Sequence, residues 1–114
     1  MSRLPAHSEF DPAAVFAALG DPTRLSLLAR LSEGEPRSIS ALSADTAMTR
    51  QAVTKHLRVL EGSGLVTSQR AGRESLYAFQ AEPLIAARAY LDRVSGQWDD
   101  ALDRLKRFVE DGTS

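Results

Sequence analysis

Gln51, Thr54, Lys55 and Arg58 are the residues in this chain whose types and spacing suit a chemical task. On a helix advancing about 100° per residue they share one side, while Val53, Leu57 and Leu60 cluster within about 60° on the other. The glutamine amide has the paired donor and acceptor that match adenine. The threonine hydroxyl suits a base edge or a phosphate, and the cations suit guanine or the backbone. Arg50 lies nearer the core edge of the same helix and is assigned to phosphate. Arg70 and Arg73 flank Ala71-Gly72 at the tip of an expected β-hairpin, where they would grip phosphate or enter a minor groove. A polar helix face standing alone reads as a solvated surface. A short helix before it and a cationic hairpin after it turn the reading toward a nucleic-acid groove.

The elements that must position these residues are marked by local signals. Asp11-Pro12 and Asp21-Pro22 each open a helix, since Asp caps and Pro is tolerated at the first helical position. Val15, Phe16 and Leu19 give the first helix an apolar stripe ending at Gly20. Leu25, Leu28, Ala29 and Leu31 carry the second to Gly34. Ser40 to about Thr46 is a short third helix with Ile39 and Leu42 inward, and Thr49 caps a fourth running to Glu61. After Gly62-Ser63-Gly64, Leu65–Arg70 and Ser75–Phe79 have the content of two strands. Glu82-Pro83 opens a last helix reaching about Val109. The expected organisation is a loose tail over 1–10 and one domain over 11–114. It has a helix-turn-helix at about 40–61, a wing at about 65–80 and a dimerisation helix at about 83–110.

Composition narrows the function classes. The 114 residues are 43% hydrophobic and 25% charged, as in an ordinary soluble globular domain. No apolar run suits a membrane span, the N-terminus lacks a secretory pattern, and there is no cysteine. The expected location is cytoplasmic. The net charge of −1 hides an asymmetry: residues 48–77 hold five bases against two acids, and both flanks are net acidic. Positive charge therefore concentrates on the groove-reading segment, and a two-fold dimer would present it twice.

The last helix has a seam of its own. Leu84, Leu91, Trp98 and Leu105 recur every seven residues, with Ala87, Val94, Ala101 and Phe108 at the alternate spacing. So small a domain cannot bury such a seam. The expected partner is the same helix of a second copy, joined by Val15, Phe16 and Leu19 of the first helix. Gly96 sits mid-helix at a cost of about 1 kcal/mol, and close helix approach is the reason it suggests.

No catalytic constellation is present: there is no thiol, no Ser/His/Asp set at a recognisable spacing, and no glycine-rich phosphate loop before a helix. No cofactor and no metal are expected. Asp92, Asp99, Asp100 and Asp103 have no imidazole to join them. His7 falls in the tail, and His56 at the edge of the fourth helix's buried face suits packing or a phosphate hydrogen bond.

Four stretches together resemble the ArsR/SmtB family of winged-helix repressors: LGDPTRLSLLARL (19–31), SALSADTAMTRQAVTKHLRVL (40–60), EGSGLV (61–66) and RAGRESLYAF (70–79). The resemblance covers about residues 11–110. It implies a mainly α fold with a small β-hairpin, a winged helix-turn-helix, and a homodimer through the N- and C-terminal helices. The implied partner is double-stranded DNA with a palindromic operator, and Arg50, Gln51, Thr54 and Lys55 are the implied base readers. Metal-sensing members carry ligands that this chain lacks in its third and last helices, which places it in the branch without metal-site residues. A small-molecule effector would sit in a cleft between the first and last helices. Two alternatives remain open: a metal-responsive repressor with an atypical site, and a winged-helix protein-interaction module.

Overall fold

The computed structural model describes residues 10–44 and 46–112. The elements run α1 (Pro12–Leu19), α2 (Pro22–Ser32), β1 (Arg37–Ser38), α3 (Ile39–Ala44), α4 (Arg50–Gly62), β2 (Val66–Ala71), β3 (Glu74–Phe79) and α5 (Glu82–Gly112). The tail expected over 1–10, with His7, lies outside the described residues except for Phe10. That residue is not loose: it packs against the core, its ring 6.1 Å from that of Tyr90.

Local chemistry starts the helices as anticipated. The Asp11 carboxylate accepts from the Ala14 N–H, and that of Asp21 from the Arg24 N–H, each with proline next in sequence. Thr49 Oγ1 accepts from the Ala52 N–H at 3.0 Å and opens α4. Ser38 does the same for α3, taking the Ala41 N–H at 3.1 Å.

The core is a single cluster built from every layer. Val53, Leu57 and Leu60 of α4 are fully buried with Leu42 of α3, Leu31 of α2 and the Leu65-Val66 pair that begins the wing. On α2 the inward residues are Leu27, Leu28 and Leu31, whereas Leu25 is 49% exposed and Ala29 is exposed. This corrects the expected stripe by one helical position. The run Leu25-Ser26-Leu27-Leu28 fits two wheel settings, and only the neighbours choose between them.

The expected hairpin is part of a three-stranded antiparallel sheet ordered β1-β3-β2. Arg37 and Ser38 pair with Tyr77 and Leu76, adding a short edge strand that joins the wing to the helix-turn-helix. The hairpin turn also lies one residue later than expected. Ala71 pairs with Glu74, so the turn residues are Gly72 and Arg73. Gly72 has φ +66 and Arg73 does not have positive φ, the pattern of a type II′ turn.

Gly64 makes the other turn that needs a glycine. Its φ is +82, and the Leu65 N–H returns to the Leu60 carbonyl at 3.0 Å, closing α4 and launching β2. A Cβ there would also lie 3.4 Å from Pro83 Cγ. Gly64→Ala should therefore cost about 1–2 kcal/mol of stability from the left-handed backbone alone, read as a lower denaturation midpoint. An unchanged midpoint would contradict this account of the turn.

Candidate nucleic-acid interface

Helix α4 has two sharply different sides. Val53, Leu57 and Leu60 are fully buried, and Gln51, Lys55, Arg58 and Arg50 are exposed. None of those four exposed side chains has an intramolecular hydrogen-bond or ion-pair partner among the described residues. A helix pinned by three buried aliphatic residues and capped at Thr49 presents an amide and three cations at little ordering cost, because the backbone beneath them is already fixed.

Thr54 is more constrained than the sequence implies. It is half-buried, and its hydroxyl donates to the Arg50 carbonyl at 2.7 Å. The proton is committed to the helix, so Thr54 can offer only oxygen lone pairs and a methyl group. It suits the amino group of adenine or cytosine, or the thymine methyl, and not an acceptor edge.

In the wing, Arg70 and Arg73 are exposed, with Arg73 in the turn itself. Ser68 donates to Glu61 at 2.7 Å, which ties the first wing strand to the end of α4. The hairpin thus keeps a defined setting relative to the helix. Charge is arranged to match, since residues 48–77 are net positive while each flank taken whole is net acidic.

Sequence reasoning missed Arg24, which locks α4 to the α1–α2 corner. Its Nε donates to the Ala18 carbonyl at 2.7 Å and its Nη2 to the Ala17 carbonyl at 3.1 Å, closing the C-terminal end of α1. Its Nη1 lies 3.3 Å from His56 Nδ1. Asp21 Oδ2 lies 3.8 Å from the same His56 nitrogen. The Arg24 N–H holds the Asp21 carboxyl below its ordinary range; partial burial opposes this, and the Arg24 guanidinium and His56 add to it. That carboxylate's contribution to stability is present above the ordinary range and lost as acidification passes through its lowered value. His56 is thus an internal strut. The signal was the stretch Asp21-Pro22-Thr23-Arg24, read as a helix opening alone. Arg24→Ala should cost about 1–3 kcal/mol, and Arg24→Lys should restore less than half, since an ammonium cannot span acceptors on two helices. Thermal melts of both variants test this, and full rescue by lysine would contradict the forked geometry.

The residues proposed for a dimer surface divide in two. Val15 is only 2% exposed inside the single chain, so its side chain belongs to the protomer core and is withdrawn from that surface. Phe16, Leu19 and Leu84 are half-buried and pack against the core, with Phe16 6.0 Å from the Tyr90 ring. Val94 is half-buried, and Leu91, Trp98 and Leu105 are 52–64% exposed.

The helix-turn-helix domain family matches residues 19–69. The HTH-type transcriptional regulator YuzN of Bacillus subtilis is 46% identical over 77 residues, covering 62% of this chain and 84% of its own length. The solved ArsR-like transcriptional regulator from Rhodococcus sp. RHA1 is 37% identical with a TM-score of 0.75, covering 85% of this chain and 91% of that one. This chain belongs to the ArsR/SmtB family. The HTH-type transcriptional repressor SmtB of Mycobacterium tuberculosis is 33% identical over 85 residues, which cover 75% of this chain and 61% of the relative. As an ArsR/SmtB-type protein this chain is a winged helix-turn-helix DNA-binding regulator of transcription, and its relatives are regulators rather than enzymes. Among the described residues no three His, Cys, Asp or Glu gather where a metal ion could be held, and no helix is long and apolar enough to cross a membrane.

Proposed function

We propose that this ArsR/SmtB-type chain acts in the cytoplasm as a homodimeric, metal-independent repressor of a roughly palindromic operator. Gln51, Thr54 and Lys55 read base edges in the major groove. Arg50, Arg58, Arg70 and Arg73 hold phosphates. The observation that carries the proposal is the outer side of α4, with exposed polar groups that lack internal partners above a fully buried aliphatic underside.

The dimer is supported by α5. Its 31 residues reach about 46 Å, and from Leu91 to Asp111 every residue is exposed except Val94 and Ala101, which are partly buried. Seven large apolar side chains on it are at least half-exposed: Ile85, Leu91, Trp98, Leu102, Leu105, Phe108 and Val109. Covering each would contribute up to about 1.5 kcal/mol, roughly half the value for a fully exposed side chain, and the seven-residue recurrence suits a second copy of the same helix. Space around Gly96 is open within one chain, so any close approach there would come from that second copy.

Selection from a random duplex library tests the function. An inverted repeat with half-sites about one helical turn apart is the expected product. No enriched motif would reject sequence-specific repression. Absence of duplex binding even at low salt would favour the protein-interaction module, and operator affinity moved by zinc, cadmium, nickel or copper would favour the metal-responsive version. The wing adds a separate expectation: Arg70→Ala with Arg73→Ala should lower the salt slope by up to about 0.9 per lost phosphate contact. It should weaken selected and random duplexes alike. A loss confined to the selected sequence would move those arginines from backbone to base contact.

A further inference from the structure

We infer that a cavity between α1, the end of α4 and the start of α5 binds a small organic cation with an apolar body, and that its occupancy changes operator affinity. The cavity is a cleft open to solvent, of about 500 Å³, a volume within the usual range of small-molecule sites. Its walls carry Asp11, Glu61 and Glu82, and none of the described residues lining it is Lys, Arg or His. Three formal negative charges with no cation among the described lining residues repel an anionic ligand and attract a cationic one. Phe10, Ala14, Val15, Pro83 and Ala86 supply apolar wall against which a hydrocarbon body can lose water.

The carboxylates keep acceptor capacity for a bound ammonium. That of Asp11 takes the Ala14 N–H, and that of Glu61 takes the Ser68 hydroxyl. An ionised carboxylate can accept up to about four hydrogen bonds. The same three acids do not gather as a metal site, because no group of three potential ligands converges among the described residues. Carboxylates spread around a roomy, partly apolar space suit an extended organic ion better than a bare metal ion.

The cavity also touches both halves of the proposed machine. Glu61, Gly62, Ser63 and Gly64 end the base-reading helix, and Glu82, Pro83 and Ala86 begin the helix with the exposed apolar stripe. A ligand seated there contacts both, and shifts operator affinity to the extent that it prefers one relative setting of the two. This regulatory half rests on the repressor reading, whereas binding of the cation does not.

Three probes with one aromatic body and different charge separate these claims: phenethylammonium, 2-phenylethanol and phenylacetate, titrated calorimetrically into the full chain. The ammonium should bind at least about tenfold tighter than the alcohol, with phenylacetate weakest. Glu61→Gln with Glu82→Gln should remove the ammonium's advantage while leaving alcohol binding unchanged, and the fold should be retained because the amide oxygen at position 61 can still accept the Ser68 hydroxyl. Saturating phenethylammonium should shift operator affinity at least about threefold in the wild type and not in the variant. Equal binding of the three probes, no ammonium heat, or an advantage that survives the double substitution would overturn the site. Ammonium binding with unmoved operator affinity would overturn its regulatory role. Failure of the probe-free chain to bind its operator would count against the repressor reading, and the calorimetry would still decide the site.

Discussion

Leu105→Glu combined with Phe108→Glu should convert the protein to a monomer and weaken operator binding by about three orders of magnitude. Both side chains are largely exposed in the single chain, Leu105 at 57% and Phe108 at 73%, so the protomer loses no internal packing. In a two-fold helix pair the same positions would face apolar partners, and each glutamate would be buried without a counter-charge. The DNA penalty follows from linkage. A dimer's second half-site binds at the high effective concentration set by the first, and a monomer forfeits it. Sedimentation should show halved mass at retained helicity, with a lower melting temperature because the apolar contacts between the two copies are lost. A wild-type monomer that binds its duplex as tightly as the variant would remove the dimer from the account.

Lys55→Ala should produce the second large effect. A good paired contact to a base is worth about 1–3 kcal/mol of discrimination, and a two-fold complex loses it twice, giving about 2–6 kcal/mol across the operator. The exposed ammonium has no partner within the described residues, so its removal leaves nothing unsatisfied inside the protein and the loss should appear in binding alone. Thr54→Val should be milder on most sequences, because the hydroxyl proton is already given to the Arg50 carbonyl and the retained methyl can still meet thymine. Gel-shift or anisotropy titrations on one duplex separate the two. A Thr54→Val loss larger than that of Lys55→Ala would reverse their assigned roles.

Local chemistry made much of this legible in sequence. Asp-Pro pairs opened α1 and α2, Thr49 capped α4, and the spacing of Val53, Leu57 and Leu60 separated the buried from the exposed side of that helix. What stayed hidden depends on partners distant in the chain. The two residues of β1 become a strand only because β3 lies beside them. Arg24 reaches the end of α1 and a histidine 32 residues away, and no spacing rule announces such a contact. Val15 illustrates a different limit. An apolar stripe declares that a helix face is covered, but its own chain and a second copy leave the same periodicity. The turn at Gly72 lay one residue from expectation because both Ala71-Gly72 and Gly72-Arg73 are workable loop pairs, and strand register decides between them.

The measurement closest to the central claim is the affinity of Gln51→Ala for a set of operators carrying each base at every position. If the outer face of α4 reads sequence from two symmetry-related copies, the variant should lose preference at one base pair in each half-site, placed symmetrically, and keep it elsewhere. Preference left intact at every position, or lost evenly along the whole duplex, would contradict the account.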